Sequence, residues 1–219
     1  MRYLLVGIVV SLVTVAPAAD KKLPEPAAGT KFHVMAGFPK YVTADIEFRD
    51  PTDKLWPNFF YGKPDQDGAL LSDPKQPTAQ NIVLKCDHLA QKNGEQDRRV
   101  LGELLTAGKS PVVRFTLKAL QPLQSETVKV EVKEGKFQDK VVNFFPAEGT
   151  LDLDGKALPI TGKLTLKPNY DKDKTKVEAL YAEVTATVPG STLGLKAVPT
   201  VAIRVGFTGY ADTKDAKKK

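Results

Sequence analysis

The segment Gly149–Pro168, GTLDLDGKALPITGKLTLKP, alternates apolar and polar residues on both sides of Asp154-Gly155-Lys156. Leu151 and Leu153 fall on one side of an extended chain, with Thr150, Asp152 and Asp154 on the other. Beyond the turn, Leu158, Ile160, Leu164 and Leu166 share a face opposite Lys163, Thr165 and Lys167. Successive side chains of a strand leave opposite faces of a sheet, so a period of two predicts an antiparallel hairpin with one face buried.

The same period recurs along the chain. KFHVMAGF and KYVTADIEF predict the first strands, with Val42, Ala44, Ile46 and Phe48 on one face. QNIVLKCDHL sets Ile82, Leu84 and Cys86 against Val83 and Lys85, and VVRFTLKAL sets Val113, Phe115 and Leu117 against Arg114, Thr116 and Lys118. ETVKVEVKEG sets Val128, Val130 and Val132 against Lys129, Glu131 and Lys133. KVVNFFPAEGTLDLDG, the hairpin above, KVEALYAEVTATV and TVAIRVGFTGYA complete the series. Two stretches break it. Pro51–Pro77 holds five prolines and the pair Asp67-Gly68, which predicts a long loop because proline cannot donate to a ladder. This loop carries Trp56, Phe59, Phe60 and Tyr61, enough aromatic surface to pack on something. In GEQDRRVLGELLTAGKSP, Val100, Leu101, Leu104 and Leu105 recur at helical spacing, Gly108 ends the run and Pro111 forbids continuation.

About eight strands and one short helix therefore predict an all-β fold. Alternation rather than continuous apolar runs means antiparallel pairing with one wet face, and a closed or nearly closed barrel removes the exposed edges. An eight-stranded barrel is just wide enough to be filled by side chains or to hold one small ligand. The inward sets are mainly Val, Leu, Ile and Ala with a few Phe, a modest bulk that favours a cavity over a plug.

The ends define the organisation. Arg2, the apolar run Leu4–Val15 and Ala16-Pro17-Ala18 read as a signal peptide over residues 1–18, too short to span a bilayer as a helix. Residues 19–29 are a Pro, Ala and Lys linker, 30–211 a single domain, and 212–219 a basic tail. The expected location is periplasmic or secreted, with no integral membrane segment after signal removal. With one Cys there is no internal disulfide, so the core must hold the fold. The net charge of +6 resides at the two ends and leaves the body near neutral, which argues against nucleic acid as a partner.

Chemistry is sparse. His33, Cys86 and His88 are the soft metal ligands, and a closed site needs about four. Cys86 reads as a core residue and His88 as a polar strand exit, so no metal and no cofactor are expected. Neither histidine adjoins a nucleophile turn, and no phosphate-cradling glycine loop occurs. The expectation is a protein that is not an enzyme.

The pieces NIVLKCDHLAQKNGEQDRRVLGELL, KSPVVRFTL, GTLDLDGKALPITGKLTL, YAEVTATV and VAIRVGFTGYA resemble, in order, the YceI-like family of periplasmic lipocalin-like proteins. The likeness covers about Asn81–Ala211. It implies an antiparallel barrel holding a polyisoprenoid in an apolar tunnel, with no catalytic residues. Two features depart from the family: Asp97-Arg98 reverses its usual Arg-Asp order, and Pro51–Pro77 replaces part of its N-terminal strand pair. On this reading Phe115, Leu117, Val130, Leu151, Leu164, Val184, Val205 and Phe207 form the cavity wall. Trp56, Phe59, Phe60 and Tyr61 form a lid, and the partner is an apolar lipid of isoprenoid type. The alternative is a filled barrel, structural or interacting, with the aromatic loop as its partner surface.

Overall fold

The structure, a computed structural model, describes residues 23–36, 44–49, 58–90, 112–133, 135–153, 155–193 and 198–211. Twelve strands run in chain order: β1 (Lys31–Val34), β2 (Ala44–Arg49), β3 (Asn58–Pro64), β4 (Gly68–Leu71), β5 (Thr78–Gln80), β6 (Val83–Ala90), β7 (Val113–Leu120), β8 (Gln124–Lys133), β9 (Lys136–Leu153), β10 (Lys156–Tyr170), β11 (Val177–Pro189) and β12 (Thr200–Ala211). The helical element among the described residues is a short 3-10 turn, Gly190–Leu193. The helix expected at Val100–Leu105 lies outside the described residues, as do the signal segment, Trp56 and the basic tail.

Eight strands form a ring in the order β11-β10-β9-β7-β6-β3-β2-β12, and β12 returns to β11 to close it. Every pairing in the ring is antiparallel. The ring is uneven. The β11–β12 seam runs from Ala179 to Pro189, whereas β6 and β7 pair only over Val83–Cys86. Beyond the ring, β1 joins the C-terminal end of β12, β4 joins β1, and β5 joins β4.

The hairpin read from Gly149–Pro168 is present, with Leu151 opposite Leu158 and Gly149 opposite Ile160. Asp152 accepts the Gly155 amide at 2.7 Å in its turn. Leu151, Leu158, Ile160 and Leu164 are all buried, as their alternation predicts. Inward residues from all eight ring strands join one apolar cluster with Phe32, Val34 and Leu70. Phe48, Phe60, Phe115 and Phe207 are its largest fully buried ring-strand members, and Phe48 and Phe60 meet edge to face at 5.8 Å.

The long loop expected over Pro51–Pro77 is corrected from residue 58 onward. Asn58–Pro64 is a strand of the ring between β2 and β6, and Gly68–Leu71 is a strand beside β1. Proline counts against a strand, but Pro64 occupies the last position of β3, where a missing N–H costs little. Phe60 is consequently core rather than lid, and Tyr61 is half-buried one position along the same strand. Phe59 is placed by its backbone in β3, opposite Glu47 and Ala90.

One glycine is demanded by the core. A Cβ on Gly149 would lie 2.7 Å from the Phe115 ring and 2.8 Å from the Thr116 carbonyl oxygen. The ring of Phe115 thus occupies the space that a side chain on β9 would claim. Gly149→Ala should destabilise the fold by about 1–3 kcal/mol through overpacking. Urea denaturation measures this, and an unchanged midpoint would mean the interior yields.

Candidate functional site

Seven of the eight residues read as cavity wall face inward together: Phe115, Leu117, Leu151, Leu164, Val184, Val205 and Phe207. Phe115, Leu151, Leu164 and Val205 are 0% exposed, and Phe207 is 1% exposed. A tunnel wide enough for an isoprenoid chain would leave its wall accessible to a water-sized molecule, whether or not it opened outside. Phe115, Leu151, Leu164 and Val205 have no such space beside them, while Leu117 and Val184 keep 5% and 2% of their surface; all seven belong to one apolar cluster. Val130 is not in this group. It is 38% exposed on β8, which pairs with β9 outside the ring.

Two other surfaces carry distinctive residues. The first is an open groove of about 620 Å³ on the outer face of β2, β10, β11 and β12. Arg49, Thr161, Lys163, Thr185 and Thr187 line it, with Glu47 and Arg204 on its floor. Arg204 sits at the centre of an ion network that spans three neighbouring strands. Its Nε donates to Glu47 at 2.7 Å, one terminal nitrogen donates to Asp45 at 2.6 Å, and the other to the Tyr181 hydroxyl at 2.8 Å. Glu183 lies 3.6 Å from the same guanidinium, and Arg49 meets Glu47 at 2.9 Å. Gly206 makes room for this cluster, since a Cβ there would fall 2.3 Å from the Tyr181 hydroxyl and 2.5 Å from Asp45 Oδ1.

Burial pushes the Asp45 carboxyl above its ordinary range, and the charge of Arg204 offsets only part of that rise. Burial also raises the Tyr181 phenol, helped by the negative charge of Asp45. For Arg204, burial works against the charge, but the hydrogen bond to Glu47 and the field of Asp45 outweigh it, so the guanidinium is held protonated above its usual range. All three guanidinium nitrogens are committed to protein groups. Arg204 therefore serves as a cross-brace between β2, β11 and β12, not as a free anion grip.

The second surface is the hairpin formed by β8 and the first half of β9. Gln124–Glu131 pairs with Phe137–Phe144, and β9 joins the ring only from Phe145 onward. Among the described residues, β8 has β9 as its only strand partner. At the foot of this arm, Glu126 forms an ion pair with Lys163 of β10, whose ammonium also lies 4.8 Å from the centre of the Phe144 ring. Farther out, Val130, Val132, Phe137 and Val141 are exposed, and Leu123 is exposed at the base. Sequence pattern locates β8 as a strand but cannot tell that its valines have no core to face. The departure of β9 from the ring at Phe145 decides that.

Cys86 is wholly buried, and burial, then the charges of Asp45 and Asp87, push its thiol up to about 12. Among the described residues, no group of three or more His, Cys, Asp and Glu side chains is placed to hold a metal ion. No described helix is long and apolar enough to cross a membrane. No protein-family model matches the chain, and no curated protein matches it.

Two outcomes follow from this chemistry. Arg204→Met should cost about 2–4 kcal/mol at pH 7, because Asp45 and Glu47 are left charged and half-desolvated. Without the guanidinium the folded-state pKa of Asp45 climbs further above its unfolded value, so the deficit shrinks as pH falls through it. Denaturant titrations at about pH 7 and pH 4.5 compare the two; an equal deficit at both would contradict the charge argument. Cys86 should resist iodoacetamide at pH 8 in the native protein and react once unfolded, as mass spectrometry would register.

Proposed function

We propose that this chain is an exported, non-catalytic binding module that engages another polypeptide through the β8–β9 arm. The observation that carries this reading is the distribution of exposed apolar residues. Apart from Leu23, the large hydrophobic side chains exposed among the described residues all lie on the arm or at its foot. A two-stranded hairpin is marginal by itself in water, and its exposed apolar side chains, Val130 on one face and Phe137 and Val141 on the other, are surface that a contact would cover. The free edge of β8 adds unpaired backbone groups suited to strand addition, in which main-chain bonds give affinity and alternate side chains give selectivity. The ring supplies a rigid base, and its interior acts as core.

A second reading, an apolar lipid of isoprenoid type inside the ring, is supported by the wholly apolar inward set of the described ring strands and by the resemblance to the YceI-like family. It requires Phe115, Phe207 and their neighbours to part and admit the ligand.

Two experiments separate these readings. With benzoylphenylalanine in place of Phe137, illumination of the full chain in its exported compartment should give adducts of discrete mass. Monomer alone would contradict docking through the arm. Organic extraction of the purified protein, followed by mass spectrometry, should yield no stoichiometric lipid; one isoprenoid per chain would establish the second reading instead.

A further inference from the structure

The arm carries more information than its exposure. Along β8 the order is Thr127, Val128, Lys129, Val130, Glu131, Val132. Laid antiparallel against a second copy of itself about Val130, this edge sets Val130 opposite Val130, within the part of β8 that precedes the register shift between Glu131 and Lys133. Lys129 then falls opposite Glu131, and by symmetry Glu131 opposite Lys129. Directly opposed residues on neighbouring strands share a face, so the valines meet on one side and two ion pairs form on the other. Moving the centre by one residue destroys the match. Centred on Lys129, the lysines oppose each other; centred on Glu131, the glutamates do.

The free edge of β9 shows no comparable symmetry. Centred on Asp139 it places Asp139 against itself, and centred on Gln138 it places Lys136 against Lys140. The edge of β8 is thus the self-complementary one.

From this we infer that the polypeptide engaged by the arm is a second copy of the same chain, joined by antiparallel β8–β8 pairing about a two-fold axis through Val130. The inference rests on the arm being the docking surface. An isologous contact of this kind closes after two copies: it satisfies both β8 edges and leaves outermost the β9 edges, which lack that self-complementarity. The result is a four-stranded sheet in the order β9-β8-β8-β9. Since β8 runs from the ring toward the arm's tip, antiparallel overlap places the two rings at opposite ends of that sheet. Glu126 remains with Lys163 at the foot of each arm, outside the paired centre. Glu131 accepts the Gly135 amide through Oε1 at 2.7 Å, and its second oxygen faces Lys129 of the other copy. So short a strand pair buries less than the roughly 1,200 Å² of a standard stable interface, which places the dimer in the weak, reversible class.

Charge exchange tests the register. Sedimentation equilibrium of the full chain should show monomer and dimer in concentration-dependent balance. Lys129→Glu should weaken the dimer by about tenfold or more, because two like-charge pairs replace two ion pairs. Glu131→Lys should do the same, and an equimolar mixture of the two variants should recover association as a heterodimer. As a check independent of charge, Val130→Cys should form an intermolecular disulfide under mild oxidation, since opposed Cα atoms in an antiparallel pair stand about 4.5–5.5 Å apart. Native Cys86 is buried and does not compete.

A wild-type chain that stays monomeric, charge variants that weaken without recovery on mixing, or a Val130→Cys variant that stays reduced would each overturn the inference. The photo-adducts distinguish the two levels of failure. Adducts of twice the chain mass agree with the dimer, and adducts only of other masses preserve docking through the arm while excluding self-pairing.

Discussion

Closure of the ring between β11 and β12 is the constraint on which the rest of the molecule depends. The seam runs over Ala179–Pro189 and brings the C-terminal strand between β11 and β2, so no ring strand keeps an open edge through its central part. Once closed, the ring has an inside that water cannot reach, and alternate residues of every strand must be apolar to occupy it. The same closure fixes the outside. It aligns Asp45, Glu47, Tyr181, Glu183 and Arg204 from three consecutive strands into one network. The network then stiffens the seam from its wet face, an arrangement in which removing one charge costs far more than the pair contributes.

On the proposed reading the apolar inside of the ring is core and function lies on its exterior. Two exterior features depart from an ordinary solvated β surface, and they differ in kind. The outer groove carries charged and hydroxyl side chains over a partly apolar lining, and its central cation is already satisfied by the protein. The arm exposes apolar side chains between charged ones, has an unpaired edge, and extends from the ring where β9 parts from β10. Of these two features among the described residues, the arm is the one left with chemistry unfinished. Its anchoring by Glu126, Lys163 and Phe144 makes the base of the hairpin continuous with the ring, so a contact at Val130 is carried on a supported element.

Much of this fold is legible in the alternation of residues. Period alone sets Leu151 on one face of its strand, Leu158, Ile160 and Leu164 together on one face of theirs, and Val205 and Phe207 together on one face of theirs, because strand geometry leaves no other choice. The antiparallel all-β class follows from the same pattern, but the membership of the ring does not: the strands read from it include β1 and β8, which lie outside the ring, and omit β3, which completes it. Period cannot distinguish a core face from an exposed one, and Val128–Val132 shows why. The same alternation arises whether the valines meet a core or another chain. Proline misleads the reading of β3, since a strand end tolerates what a strand centre does not. The interior's state is also beyond alternation, which reports direction but not whether the rings of Phe48, Phe60, Phe115 and Phe207 meet. The Arg204 network is invisible in the sequence because its members are separated by up to 159 positions in the chain, and only strand order brings them together.

The central claim is that the inside of the ring is occupied by its own side chains. Xenon, which enters dry apolar cavities and requires no specific partner, measures this directly. Crystals of the protein under xenon pressure should show no xenon site among Phe115, Leu164, Val205 and Phe207. A well-occupied site along the ring axis would reveal a hollow and contradict the account.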